Sequence, residues 1–145
     1  MLLLEELMHN LAKELSLPGE LKTESPNTYK VLFGKDLQVT ISLNETNSIR
    51  CLGLIGSLPT EKSEDFLSYL AFANLLGEGT GDSVIFLDNE GKLIYLSRDF
   101  TPSNYVHFKE NVEMFVNYLE MWQKKRNDAA SKEAVYQNGI LQPLK

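Results

Sequence analysis

A chain of 145 residues with 43% apolar content has the material for one domain with a core of its own. Its 20 acidic residues outweigh 14 Lys and Arg, and the resulting charge of −6 disfavours nucleic acid or an anionic membrane as the main partner. A single cysteine, Cys51, excludes an internal disulfide, and no run approaches the ~18 apolar residues that a membrane span needs.

The first fifteen residues are apolar but carry Glu5, Glu6 and Glu14 and lack the basic start of a signal peptide, which points to a cytoplasmic protein. Leu4, Leu7, Leu11 and Leu15 recur at helical spacing, Met8 and Ala12 widen the stripe, and Pro18-Gly19 ends it, so the first element is predicted to be a helix. Three strands are predicted next, TYKVLFGK, LQVTISLNE and RCLGLIGSL. The turns between them are Gly34-Lys35-Asp36 and Asn44-Glu45-Thr46-Asn47. Val39, Ile41 and Leu43 alternate with Thr40 and Ser42, so the middle strand is expected to bury one face only.

A second helix is predicted from about Pro59-Thr60-Glu61 to Leu76. Its apolar residues, Phe66, Leu67, Leu70, Ala71, Phe72, Ala73, Leu75 and Leu76, cover more than one stripe. A helix in a small domain needs only one side on the core, so the surplus implies a second contact, of which self-association is the simplest.

The stretch LGEGTGDS follows and has the look of a phosphate-binding loop. Such a loop needs a strand before it and a helix after it, whereas here a helix comes first and a strand follows. The glycines therefore read as a helix stop at Gly77 and a flexible lead into the strand at Gly79 and Gly81. SVIFL and KLIYL then flank Asp88-Asn89-Glu90-Gly91, a hairpin turn. Both runs are apolar without alternation, which predicts cover on both faces. The last helix is expected to open at Thr101-Pro102 and to face the core through Phe108, Val112, Phe115, Leu119 and Trp122. A single domain over 1–126 with a short polar extension over 127–145 completes an α+β chain, α-βββ-α-ββ-α, with helices packed on a twisted antiparallel sheet.

Residues for chemistry are sparse. His9 and His107 have no second ligand at metal spacing, and Cys51 sits among apolar neighbours. The pairs Glu5-Glu6, Glu64-Asp65 and Asp88 with Glu90 lie at helix starts or turns, where acids are expected on structural grounds. Lys124-Lys125-Arg126 complements a helix C-terminus. No nucleophile, base and oxyanion donor come together, so the reading is of a binding protein without catalytic residue, metal or cofactor.

The segment from Asn74 to Trp122 resembles the class I type III secretion chaperones, the family of the Tir chaperone. The positions that carry the resemblance are Asn74, Leu75, Gly79, Gly81, Leu87, Asp88, Gly91, Leu93, Leu96, Phe115 and Trp122. The upstream KVLFGKDLQVTISLNETNSIRCLGLIGSLP is similar to the family's three-stranded stretch, and SKEAVYQNGIL to an extension of some members. The resemblance implies a homodimer in the cytoplasm of a Gram-negative bacterium. It implies binding of the N-terminal segment of one or more secreted effectors, held extended and secretion-competent without ATP. The secretion ATPase is a candidate further partner, whereas nucleic acid and membrane are not expected partners. The alternative is a regulatory protein of the same fold that sequesters a regulator or another chaperone. On this reading the dimer seam is expected at Phe66, Leu70, Ala73 and Leu76 of the second helix with Val84 and Phe86 of the next strand. Client contact is expected at Leu3, Leu7 and Met8, at Tyr29, Val31 and Phe33, and at Ile94 and Leu96.

Overall fold

The structure, a computed structural model, describes residues 3–16, 22–34, 36–60, 63–76 and 79–137. Its elements are α1 (Leu4–Leu15), β1 (Lys22–Ser25), β2 (Thr28–Phe33), β3 (Leu37–Leu43), β4 (Ile49–Ser57), α2 (Ser63–Leu76), β5 (Val84–Leu87), β6 (Leu93–Phe100) and α3 (Tyr105–Gln137). The strands form one antiparallel sheet in the order β1-β2-β3-β4-β6-β5. This is the α+β architecture that the sequence predicts, with one strand more. β1 reads Lys-Thr-Glu-Ser, has no apolar alternation to announce it, and exists because a turn at Asn27, with φ +64°, folds it back on β2.

One face of the sheet carries the core. Register aligns Val31, Val39, Gly53, Leu96 and Ile85 in a single row across five strands, and every member is buried. α3 crosses this face, and its stripe of Phe108, Val112, Phe115, Leu119 and Trp122 is sealed from solvent. Gly53 has no side chain because Leu119 occupies the space a Cβ would need. α1 lays Leu4, Leu7, Met8 and Leu11 into the same core. Its end is tied to α3 by Glu14, which accepts hydrogen bonds from the Tyr105 hydroxyl at 2.6 Å and from Lys109 Nζ at 2.5 Å. Those bonds hold the Glu14 carboxyl below its ordinary range, the Lys109 bond first. Burial and then the Glu14 bond push Tyr105 up to about 12.

α3 departs from expectation at both ends. Asn104 caps it, its Oδ1 accepting from His107 N–H at 2.8 Å, while Thr101-Pro102 lies in the approach. The helix also continues beyond Arg126 to Gln137, 33 residues in all and about 50 Å at 1.5 Å per residue.

The described part of the connection from α2 into β5, residues 79–83, is held by side chains of α3 and β6. Trp122 Nε1–H donates to Gly79 O at 2.8 Å, and Arg98 Nη1 donates to Gly81 O at 2.5 Å while its other nitrogens hold Asn111 Oδ1. Gly81 has φ +58° and lies against the Tyr118 ring, so both its backbone and its lack of a side chain are required. Gly77 lies outside the described residues.

Candidate protein-binding site

The core closes with apolar side chains left outside it; Leu3 and Leu15 on α1 and Val106 and Met114 on α3 stand apart, and the others gather in two places. On α2 the sequence is apolar almost all round; Phe66, Leu70 and Ala73, spaced four and three apart, are buried in the core, and Leu67 packs half-buried against it. The opposite side presents Phe72 and Leu75, which are 61% and 80% exposed. β5 alternates in the same way: Ile85 is buried, whereas Val84 and Phe86 are 56% and 41% exposed. Asn74 joins the two elements, its Nδ2 donating to Ile85 O at 2.7 Å and its Oδ1 accepting from Ile85 N–H at 2.8 Å. The last turns of α2 thereby lie against β5, the strand that carries Val84 and Phe86.

The second place is the outer face of the sheet. Register sets Phe86 opposite Tyr95 and Tyr95 opposite Leu54, and it sets Val84 opposite Ser97, Ser97 opposite Leu52 and Leu52 opposite Thr40. Leu32 and Leu54 stand exposed here, and Phe86 stacks on Tyr95 with centroids 5.5 Å apart and planes 18° from parallel. A depression of about 400 Å³ runs over this face between Lys30, Asp36, Gln38, Thr40, Leu52, Leu54, Tyr95 and Gln123. It opens where β4 leaves β3, and Gln123 Nε2 donates to the freed Leu54 O at 2.9 Å. Elsewhere on β4 and β6 Arg50 grips Asp99 with two hydrogen bonds of 2.8 Å, which lower the Asp99 carboxyl and raise Arg50.

These positions correct much of the expected site. Phe66, Leu70 and Ala73 belong to the core of the single chain, because their spacing is that of the core-facing stripe. Val84 and Phe86 face outward, and the side chain of Leu76 lies outside the described residues. Of the expected client residues, Leu7, Met8, Val31, Ile94 and Leu96 are buried: α1's stripe and the inward positions of β2 and β6 all turn toward α3. Leu3 is exposed, and Tyr29 and Phe33 are half-buried. Burial, and then the charge of Glu5 on α1, raise the Tyr29 phenol. The residues that sequence reasoning missed are Phe72 and Leu75 as outward groups and Leu32, Leu52 and Leu54 on the sheet's outer face. For the strands the signal was parity: one step along β2 or β6 exchanges the faces. The hairpin runs were expected to be covered on both faces, and within one chain the outer face of β5 is not.

Chemically the surface is plain. Cys51 is fully buried and its thiol is pushed up to about 12 by that burial, which leaves it inert. His107 Nδ1 accepts from Ser103 N–H at 3.1 Å at the start of α3. Among the described residues no group of three His, Cys, Asp or Glu stands together to hold a metal ion, and no helix is long and apolar enough to cross a membrane.

Known proteins agree with this picture. A Chlamydia pneumoniae protein, CPj0713/CpB0740, is 27% identical over 121 residues, covering 83% of this chain and 93% of its own. Among solved structures, the HopA1–SchA chaperone–effector complex contains a chain of TM-score 0.63 and 15% identity, covering 83% of this chain and 92% of that one. YbjN, a candidate transcription regulator from E. coli, matches with TM-score 0.63 and 14% identity, covering 86% and 92%. At such identities the structures speak for the fold. The family profile speaks for descent, since it spans residues 6–123: the chain belongs to the Tir chaperone protein (CesT) family.

Proposed function

We propose that the protein is a cytoplasmic type III secretion chaperone that works as a homodimer and holds the N-terminal segment of one or more effectors extended and secretion-competent without ATP. The observation that carries this reading is the apolar surface left outside a closed core, Phe72, Leu75, Val84 and Phe86 at one edge and Leu32 and Leu54 on the sheet face. The first group is the dimer seam in this reading. The second is the client surface, whereas Tyr29 and Phe33 share the inner face of β2 with Val31 and pack half-buried against the core.

The physics suits a disordered client. An extended segment pays about 2–5 kcal/mol in ordering, so its grip must be broad, and two-fold symmetry doubles the surface on offer. Burying one large apolar side chain contributes about 1.5–3 kcal/mol, so a few anchors on each protomer offset the ordering cost. Nothing in this requires catalysis, and the protein is read as no enzyme.

Co-expression with the N-terminal segment of a type III effector tests the proposal. A stable complex is expected with the native chain and loss of the complex with the Leu32→Glu, Leu54→Glu double variant, whose melting temperature stays native. A double variant that still captures the segment would remove the sheet face from the reading. Capture of a regulator and of no effector would favour the sequestering alternative.

A further inference from the structure

β5 is an edge strand of only four residues, Val84–Leu87, and it carries exposed apolar side chains on its outer face. Such an edge is a template for any other strand, because its outward N–H and C=O groups lack ladder partners. Here the middle of that edge is occupied. Asn74 reaches from the last turns of α2 and makes two hydrogen bonds to one residue, donating to Ile85 O at 2.7 Å and accepting from Ile85 N–H at 2.8 Å.

A residue of an antiparallel ladder either exchanges both bonds with its opposite number or points both groups away from it. Ile85 lies opposite Leu96, and both its polar groups go to Asn74, so they point out of the sheet. The carboxamide thus presents one donor and one acceptor where a seventh strand would place its own C=O and N–H. Asn is suited to this because its side chain has the same amide group as the backbone.

We propose that Asn74 is an edge plug. It closes β5 to strand addition, makes any partner at the α2–β5 edge meet side chains rather than extend the sheet, and directs strand addition to the opposite edge strand, β1. Only the last clause rests on the chaperone reading; the plug itself acts in the client-free chain.

The test uses the full chain without a client. In the Asn74→Ala variant, protection of the Ile85 amide against hydrogen exchange is expected to fall about ten- to a hundredfold in dilute solution, as loss of two hydrogen bonds implies. Sedimentation should then show species larger than the native one growing with concentration, with Ile85 protection restored inside them. The Asn74→Asp variant adds a chemical control. Protonated, its carboxyl still offers a donor and an acceptor; ionised, it only accepts and repels Ile85 O. Its protection factor and assembly state should be native at acidic pH and resemble those of Asn74→Ala at neutral pH, against the native chain at each pH. Unchanged Ile85 protection, or faster exchange with native sedimentation at every concentration, overturns the proposal and leaves Asn74 as a tie between helix and strand. If the alanine variant does not fold, the aspartate series decides alone, and absence of a pH-dependent assembly overturns the plug. A cross-linked effector segment found along Ile85 rather than along Lys22–Ser25 would overturn the β1 clause.

Discussion

α2 and α3 are both rich in apolar residues, yet they meet different fates. α3 buries one stripe completely, from Phe108 to Trp122, and among the described residues its exposed side chains are polar apart from Val106 and Met114, which stand singly. α2 buries Phe66, Leu70 and Ala73 and leaves Phe72 and Leu75 in water. A helix that spends its apolar residues on one face is finished once the chain has folded. A helix with a second apolar face still has a partner to find, and the neighbouring outward face of β5 repeats the point.

That contrast predicts opposite consequences for similar substitutions. The largest effect belongs to α3: Phe115→Ala removes a fully buried ring and should cost about 3–5 kcal/mol in chemical denaturation, enough to threaten folding. A charge at Val31, buried on the sheet's inner face, should likewise prevent folding rather than only binding. Next comes Gly81→Ala, which combines φ +58° with a clash against Tyr118 and should cost about 1–3 kcal/mol, measured in the same way. On α2, by contrast, Phe72→Glu should leave the stability of one chain within about 0.5 kcal/mol of native in conditions that keep it monomeric.

Acid and base titration probe the tie between α1 and α3. Glu14 is held below its ordinary range, so its contribution is fully present above the pKa it has in the unfolded chain. It is lost as pH falls through the lower folded value, below about pH 4.5. Tyr105 is pushed up to about 12, so the unfolded chain loses its proton first, and stability should decline as pH rises from about 10 toward 12. The melting temperature of Glu14→Gln should therefore be less sensitive to acid than that of the native chain. A small effect is also expected at Arg50 and Asp99, both nearly half exposed, where Asp99→Asn should change stability by less than about 1 kcal/mol.

The element order was legible because periodicity and turn chemistry agree along most of the chain: the stripe at Leu4, Leu7 and Leu11, the alternation of β3, and the turn at Gly91, which has φ +70°. β1 was not, because Lys22-Thr23-Glu24-Ser25 has no pattern and exists through its pairing with β2. The surface was harder still. When both faces of an element are apolar, as in α2, or when neighbouring residues on a strand are both apolar, as Val31 and Leu32 are, the pattern names the residues but not which of them turn outward. Packing against α3 decides that, and packing is a long-range property. Asn74 shows the same limit: its partner Ile85 lies eleven residues away across a turn, so its two hydrogen bonds have no local signature.

Sedimentation equilibrium of the isolated chain at micromolar concentration, beside its Phe72→Glu, Leu75→Glu variant, addresses the meaning of the outward apolar edge without knowledge of any client. The native chain should sediment at twice the mass of one chain, and the variant, folded to the same circular dichroism, should sediment as single chains with dissociation strengthened about a hundredfold or more. A native chain that stays single, or a variant that pairs as well as the native one, would contradict the account.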